Sequence, residues 1–466
     1  MSFEKQYELL VKLLPQVLPL IQPAINARYY PWSIEKRPVL SYRKNGFPDF
    51  SEGHLDDISR LFRQVGNGEP NIDPNDYPEY IQLLSLVMET PQIKSYFTTW
   101  IDDETRADSF YKLLCENFIL DFIERFYLLH GSIFDEALFR AIFEPVANFL
   151  CAEDLHFDIS IPILFVQFDT DSFEIAPGLE LRRISDEAHR ARTKIIAYSP
   201  AIASSVYMSA THELVLKDYS YKRPSRIFDS SFSNAALYPT SQIQRFLTVL
   251  KVVTDCTSGY AQFLLYPNNW VDRYKMDLMY LQGASTRNYP SFFDNFYWNE
   301  ENFPVVSSDE LKKIASLYTS VDNSKENKLE FALRRYYKSI LREEEEDVIV
   351  DLIIALEMLL SDKEKGEITH KLALRMAALL SVYAPGTYDA VQVFANVKKI
   401  YDYRSLIVHG GHKIHEKREI KLEGNVTVPK VALAKQYLGA VLEIVISEPK
   451  YLNPSEIDKL LLEGRL

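Results

Sequence analysis

The stretch of sequence that decides the fold lies near the C-terminal end and reads Tyr401-Asp402-Tyr403-Arg404-Ser405-Leu406-Ile407-Val408-His409-Gly410-Gly411. Arg404 and His409 bracket four residues, three of them apolar, and the Gly-Gly pair predicts the end of a helix. Arginine keeps its charge and presents a planar fork of donors that matches a phosphate. Histidine titrates near neutrality and can give or take a proton. The pair therefore suits cleavage of a phosphodiester.

The spacing of this pair limits what one copy of it can do. On an ideal helix, residues five apart point about 140° away from each other, so Arg404 and His409 of one chain do not obviously converge on one phosphate. A second copy from a partner chain could complete the site. The spacing also fits a structural role, in which Arg404 caps carbonyl groups and His409 packs at the helix end. His409 is expected at the helix C-terminus, where unpaired carbonyl groups favour a protonated ring.

Apolar residues at helical spacing predict a bundle of helices around the motif. The predicted helices cover residues 328–341, 347–360, 368–383, 388–409 and 428–447. Glu357 is the one charged residue of the apolar run 353–360. If its carboxylate is buried it needs a partner, and Arg404 is the predicted one, because a Glu357–Arg404 ion pair would orient the guanidinium. The alternative is that Glu357 is simply exposed.

In order and spacing, these helices resemble the Apea-like HEPN family over roughly residues 320–450. The blocks that carry the resemblance are EFALRRYYKSIL at 330–341, DVIVDLIIALEMLL at 347–360, EITHKLALRMAALL at 367–380 and the stretch from Arg404 to Gly411. The resemblance implies an all-helical, dimeric domain and a metal-independent endoribonuclease with an R-x-x-x-x-H motif. That motif falls here on Arg404 and His409. The residue after the arginine is often Asn, Asp or His in HEPN proteins, whereas it is Ser405 here.

A basic stretch follows the motif and predicts where RNA would bind. It contains His412, Lys413, Lys417 and Arg418, which could hold the RNA backbone, while Tyr403 could stack on a base. The histidines at 409, 412 and 415 also suggest a metal site. We disfavour that reading because the glycine pair breaks any helix that could align them and no cysteine stands nearby. The sequence therefore predicts neither a metal nor another cofactor.

Composition sets the wider limits. The 466 residues are 47% apolar, enough for two or three domains with cores of their own. A net charge of −13 argues against broad binding of nucleic acid, so any RNA contact must be local. The three cysteines share no metal-ligand spacing and cannot form a disulfide framework, which favours a reducing cytoplasm. The apolar run 9–25 is interrupted by Lys12 and three prolines, so we expect neither a signal peptide nor a membrane segment.

The first two thirds of the chain contain no motif that carries chemistry. Residues 1–151 are predicted as a helical domain whose early helices are kept short by prolines. Residues 152–318 are predicted as an α+β domain that could act as a sensor, with strands at 158–168, 173–184, 212–216 and 260–266 and a helix at 241–252. A cluster of four arginines with Lys194 near His189 could bind phosphate or simply form a solvated face. The predicted fold is thus multidomain and mainly α, with a central α+β domain and an all-α bundle over residues 319–466.

Two functions remain open from the sequence. The resemblance implies an RNA-cutting enzyme with a toxin-like or anti-phage role, whose activity a protein inhibitor restrains or a protein trigger releases. The alternative is a non-catalytic HEPN module that dimerises and recognises RNA, a nucleotide or a protein partner. The acidity of the chain and Ser405 fit this alternative. Cleavage that depends on His409 would separate the two.

Overall fold

The computed structural model describes residues 3–27, 34–63, 71–98, 104–196, 202–224, 231–295, 302–362, 366–409, 417–422 and 426–463. Over these residues the chain is mainly helical, with a six-stranded antiparallel sheet near its middle. The predicted class, mainly α with a central α+β region and a helical C-terminal part, is confirmed at this level.

The N-terminal helices pack around α1, which is long in spite of its prolines. The helices are α1 Glu4–Asn26, α2 Pro78–Glu89, α3 Pro91–Thr98, α4 Glu104–His130 and α5 Glu136–Cys151. The prediction that prolines keep the early helices short was wrong for α1. Pro15, Pro19 and Pro23 recur every fourth residue on the exposed side of the helix. The carbonyl groups that lose a donor therefore lie towards water, which can satisfy them.

A β-hairpin, which the sequence analysis did not predict, interrupts the helices of this segment. Its strands are β1 Ile34–Tyr42 and β2 Pro48–Asp56. Gly46 turns the chain with a φ of +85°, and its N–H donates to Arg43 O over 2.9 Å. Asn45-Gly46 is the dipeptide typical of such turns.

The central sheet has the strand order β11-β8-β3-β7-β6-β5. The strands of this region are β3 Asp154–Leu164, β4 Gln167–Phe168, β5 Ser172–Ala176, β6 Leu179–Arg183, β7 Ala210–Lys222, β8 Tyr260–Pro267, β9 Tyr274–Lys275, β10 Leu278–Met279, β11 Gln282–Asn288 and β12 Val305–Val306. Its helices are α6 Asp186–Ile196, α7 Ser204–Met208 and α8 Thr240–Thr254. The four predicted strand regions and the predicted helix at 241–252 are confirmed, with shifted ends. Residues 173–184 form a hairpin that turns at Gly178, whose φ is +77°.

The C-terminal part consists of seven helices within the described ranges, with one small hairpin. The elements are α9 Ser308–Asn323, α10 Asn327–Leu341, α11 Glu345–Leu360, α12 Ile368–Tyr383, α13 Ala390–Val408, β13 Glu419–Lys421, β14 Thr427–Pro429, α14 Lys430–Ser447 and α15 Pro454–Leu462. The hairpin corrects the prediction of an all-α bundle. Its middle residue on β13, Ile420, is buried between two exposed neighbours, the alternation typical of a strand.

Most buried apolar side chains form one cluster that runs from Phe3 to Leu460, and two smaller clusters lie around Phe165 and Leu264. The predicted divisions after residues 151 and 318 stay predictions, and the second falls inside α9. A capping box between Ser307 and Glu310 starts that helix.

One helix in the described part of the chain, α1, is long and apolar enough to cross a membrane by length and composition alone. Its Leu14, Leu18 and Ile21 are fully buried in the cluster. The core helix of a soluble protein can have the same length and apolar composition. The expectation that no segment spans a membrane stays a prediction.

Candidate functional site

Helix α13 carries the motif and is held at both ends by hydrogen bonds. Asp389 caps its first turn, with Oδ1 accepting from the Gln392 N–H over 2.8 Å. Val393, Val397 and Ile400 are buried at helical spacing and anchor the helix in the bundle. The opposite side is exposed at Lys399 and Asp402, among other residues. The motif therefore lies at the C-terminal end of a helix with one buried and one solvated side.

His409 follows the last residue of α13 and is exposed. Its backbone N–H donates to Ser405 O over 3.1 Å, which closes the final turn. The prediction that His409 stands at the helix C-terminus is confirmed. Ser405 is half-buried, and it contacts His409 through its backbone carbonyl rather than through its side chain. An exposed imidazole at a fixed helix end can reach a ligand in solvent.

Arg404 is half-buried and lies five positions before His409. Its guanidinium carbon lies 5.8 Å from the centroid of the Tyr401 ring, within reach of a cation–π attraction. Its Nε is buried and has no hydrogen-bond acceptor among the described residues. Arg404 is thus held on one side by an aromatic ring and keeps a donor that no described group satisfies.

Glu357 has a different partner from the predicted one. The Tyr401 hydroxyl donates to Glu357 Oε1 over 2.9 Å, whereas no ion pair joins Glu357 to Arg404 in the described chain. Tyr401 therefore stands between the two residues, because its hydroxyl holds the carboxylate and its ring holds the guanidinium. Burial and the Glu357 carboxylate raise the pKa of Tyr401, which keeps the hydroxyl a donor.

Tyr403 is fully buried, so the prediction that it stacks on an RNA base does not fit its position. The Lys430 ammonium lies 5.2 Å from the centroid of its ring. Burial and the nearby Lys417 and Lys399 lower the pKa of Lys430, while Asp402 opposes them. Lys399, Lys417 and Lys430, named here the basic cluster, therefore bring positive charge together beside the motif.

The predicted basic stretch after the motif is only partly described. Lys417 is exposed and belongs to the basic cluster. Arg418 Nη2 pairs with Glu345 Oε2 over 2.6 Å at the start of α11, which compensates its charge. His412 and Lys413 lie outside the described residues. The sequence analysis did not identify Lys399 or Lys430, although the Lys398-Lys399 pair one turn before Arg404 is a visible signal for the first.

The second predicted anion site is the arginine cluster near His189, and its arginines bind acceptors within the protein. Arg182 pairs with Glu213 over 2.6 Å, and Arg190 pairs with Asp277 over 3.3 Å. Arg192 is fully buried and donates to His189 Nδ1 over 3.1 Å. The alternative, a solvated basic face, fits Arg182 and Arg183, whose side chains are 39% and 50% exposed, but not the buried Arg192. The Lys194 side chain lies outside the described residues.

Metal ligands do not gather around the described residues of the motif. Within the described ranges, no group of three or more His, Cys, Asp and Glu side chains is placed to hold a metal ion. The histidines at 412 and 415 are outside those ranges.

Comparison with known proteins adds no family assignment. No family model, no curated protein and no solved structure matches this chain.

Proposed function

We propose that this chain is an Apea-like HEPN protein and that Arg404 and His409 make it a metal-independent endoribonuclease. The observation that carries the proposal is the exposed imidazole of His409 at the end of α13, five positions after a half-buried arginine that retains an unsatisfied donor. The basic cluster beside them supports it, since an acidic chain needs local positive charge to hold RNA. The four sequence blocks that resemble the Apea-like HEPN family support the family assignment in this proposal.

The chemistry is cleavage by the RNA strand itself. The ribose 2′-oxygen attacks the adjacent phosphorus, the bond from phosphorus to the 5′-oxygen breaks, and a 2′,3′-cyclic phosphate and a 5′-hydroxyl result. His409 gives a proton to the leaving 5′-oxygen. Arg404 stabilises the charge that builds on the non-bridging oxygens. The proton of the 2′-hydroxyl goes to a water or to the second His409 of a dimer.

A homodimer is part of the proposal because the two motif residues are five positions apart. The divergence of about 140° on a helix makes it hard for one copy to present both groups to one phosphate. Two copies of α13 that meet at their C-terminal ends would supply a guanidinium from one chain and an imidazole from the other. RNA would then lie in the groove between them.

The test is cleavage of RNA by the purified full chain in EDTA. Wild-type protein is expected to cut, and His409→Ala and Arg404→Ala are expected to lose cleavage by 100-fold or more, on the scale of removing a proton carrier or a charge stabiliser. His54→Ala, at an exposed histidine of β2, and Arg334→Ala, at an exposed arginine of α10, are the matched controls. Equal cleavage by His409→Ala and wild type would refute the proposal.

A non-catalytic binding module is the second candidate, and Ser405 favours it. The residue after the arginine is often Asn, Asp or His in HEPN proteins, and Ser405 is half-buried. On this reading the bundle dimerises and binds RNA, a nucleotide or a protein without cutting. Tight RNA binding that His409→Ala leaves unchanged, with no cleavage by wild type, would select it.

The biological setting that we propose is a regulated toxin-like or anti-phage effector in the cytoplasm. An RNA-cutting enzyme harms its own cell, so a protein trigger or inhibitor must control it. The segments before residue 319 are the parts of the chain available for that control.

A further inference from the structure

A cavity of about 320 Å³ lies between the N-terminal helices and the central region, far along the chain from the motif. Helix α4 forms one wall, and the segment from Asp272 to Met276 forms another. The volume falls within the range that holds a small organic molecule. Six charged residues line it: Asp57, Arg63, Asp121, Glu124, Asp272 and Arg273.

Two of these carboxyl groups are unusual. Burial raises the pKa of Asp121 from 3.8 to about 7, against the opposing charges of Arg273 and Arg63. Burial likewise raises the pKa of Asp272 to about 6, and the Asp272 side chain is only 7% exposed. Two carboxyl groups that titrate near neutrality in one cavity are typical of a functional site.

The protein leaves the Asp121 carboxyl without a hydrogen bond from any described residue, whereas Asp272 Oδ2 accepts from Gln282 Nε2 over 2.9 Å. Each arginine of the cavity makes one contact with a neutral group: Arg63 donates to Asn117 Oδ1, and the Arg273 guanidinium lies 4.2 Å from the Tyr280 ring centroid. Asp57 Oδ2 pairs with Arg60 Nε over 2.8 Å, and Asp272 Oδ2 lies 3.9 Å from Arg273 Nε, so the Asp121 carboxyl is the acceptor that a positively charged guest with N–H donors would satisfy.

The walls between the charges are aromatic. Phe118 and Phe122 of α4 meet edge to face at 5.2 Å, and Phe97 and Tyr274 complete this side. Such walls favour a flat ring, and rings also attract cations over their faces. A metal ion fits less well, because no three acidic, histidine or cysteine side chains converge on one point in the described chain.

We propose that this cavity binds a small planar organic cation, an aromatic amidinium or a protonated amino-heterocycle, with its N–H groups on Asp121 and its ring against the aromatic wall. The proposal is independent of the ribonuclease, since it concerns other residues and would stand if the chain cut no RNA. The ionised carboxylate is the form that holds the cation. Affinity therefore rises as the pH rises through 6 and 7, where Asp272 and Asp121 lose their protons.

Calorimetric titration of the full chain with benzamidine, an amidinium that keeps its charge from pH 5 to 8, tests the site. Binding is expected at pH 8, at least tenfold weaker binding at pH 5, and little binding of the neutral benzamide or of benzoate. Asp121→Asn is expected to weaken benzamidine binding at pH 8 at least tenfold. Asp108→Asn, on an exposed residue of the same helix, should bind as wild type does.

Three outcomes would overturn the proposal. They are no heat of binding with benzamidine up to 10 mM, equal binding of benzamide, or equal binding by wild type and Asp121→Asn. Asp272→Asn provides a second variant should Asp121→Asn fail to fold, and it should also weaken benzamidine binding. Titration with MgCl₂ tests whether the site binds a metal instead. If Mg²⁺ binds to wild type but not to Asp121→Asn, and benzamidine does not bind, the site is a metal site and the proposal of an organic cation is wrong.

Discussion

The Tyr401 hydroxyl donates a hydrogen bond of 2.9 Å to Glu357 Oε1, and this contact ties α13 to α11. The same tyrosine ring supports the Arg404 guanidinium at 5.8 Å. A carboxylate on one helix thus fixes, through a tyrosine, the arginine of the motif. Arg404 gains its orientation from an aromatic face rather than from a direct ion pair.

Removing the hydrogen bond between Tyr401 and Glu357 should make the orientation of the Arg404 side chain less fixed. Tyr401→Phe keeps the ring under the guanidinium but loses the bond to Glu357, which costs about 0.5–1.5 kcal/mol of folding free energy. RNA cleavage should fall about threefold to tenfold, far less than in Arg404→Ala. Urea unfolding and cleavage rates measure the two effects. Tyr388→Phe, elsewhere in the bundle, is the control, and an unchanged rate in Tyr401→Phe would argue against a positioning role.

The basic cluster should set the salt dependence of RNA binding. Lys399→Gln removes one exposed cation, so the affinity for a short RNA should fall at low salt and the slope of log K against log salt should shrink by about 0.7 for a single strand. Fluorescence anisotropy at several salt concentrations measures both. Lys12→Gln, at an exposed lysine of α1, should bind like wild type. An unchanged slope in Lys399→Gln would place the RNA elsewhere.

Asp351 should be a main stabilising residue of the bundle. It is 2% exposed, and its two oxygens accept from Arg335 of α10 over 2.6 Å and from Arg342 over 3.1 Å. Asp351→Ala removes the shared partner of two arginines whose side chains are 30% and 42% exposed. Because water can solvate the arginines that remain, the loss should be about 1.5–3 kcal/mol of unfolding free energy. Asp347→Ala breaks an exposed pair with Arg342 and should cost about 1 kcal/mol or less. Urea unfolding compares them, and equal losses would contradict the expectation.

The raised pKa of Asp121 predicts how the free energy of unfolding changes with pH. Folding raises this pKa from 3.8 to about 7, so the folded chain keeps a proton that the unfolded chain releases. Stability is therefore lost as the pH rises from about 4 to 7. Asp121→Asn should be close to wild type at pH 4 and more stable by about 1–3 kcal/mol above pH 7.

Urea unfolding between pH 4 and pH 8 measures that difference, with Asp108→Asn as the variant whose difference from wild type stays constant. A loss of stability in Asp121→Asn at every pH would show that the ionised carboxylate stabilises the fold and would contradict the prediction.

Local pattern predicted the helices well. Residues 347–360 and 368–383 were predicted as helices and form Glu345–Leu360 and Ile368–Tyr383, because apolar residues recur on one side of each. The position of His409 followed from the glycines after it. Such features depend on neighbours in the chain, which the sequence displays directly.

Features that depend on distant contacts could not be predicted. The partner of Glu357 lies 44 residues away on another helix, and the choice between Tyr401 and Arg404 depends on how α11 and α13 pack. Lys430 reaches Tyr403 only because the β13–β14 hairpin brings the chain back. Strand β11 carries few β-branched residues, and its Gly283 lies so close to Phe263 O that a Cβ would be 2.0 Å away.

The most direct test of the account is the chemistry of the ends that the full chain leaves on RNA in EDTA. If Arg404 and His409 direct attack by the 2′-oxygen, a defined RNA should yield fragments with a 2′,3′-cyclic phosphate and a 5′-hydroxyl. A fully 2′-O-methylated copy should stay intact, and His409→Ala should give no fragments. Fragments with a 5′-phosphate, cleavage of the methylated copy, or the same fragments from His409→Ala would contradict the account.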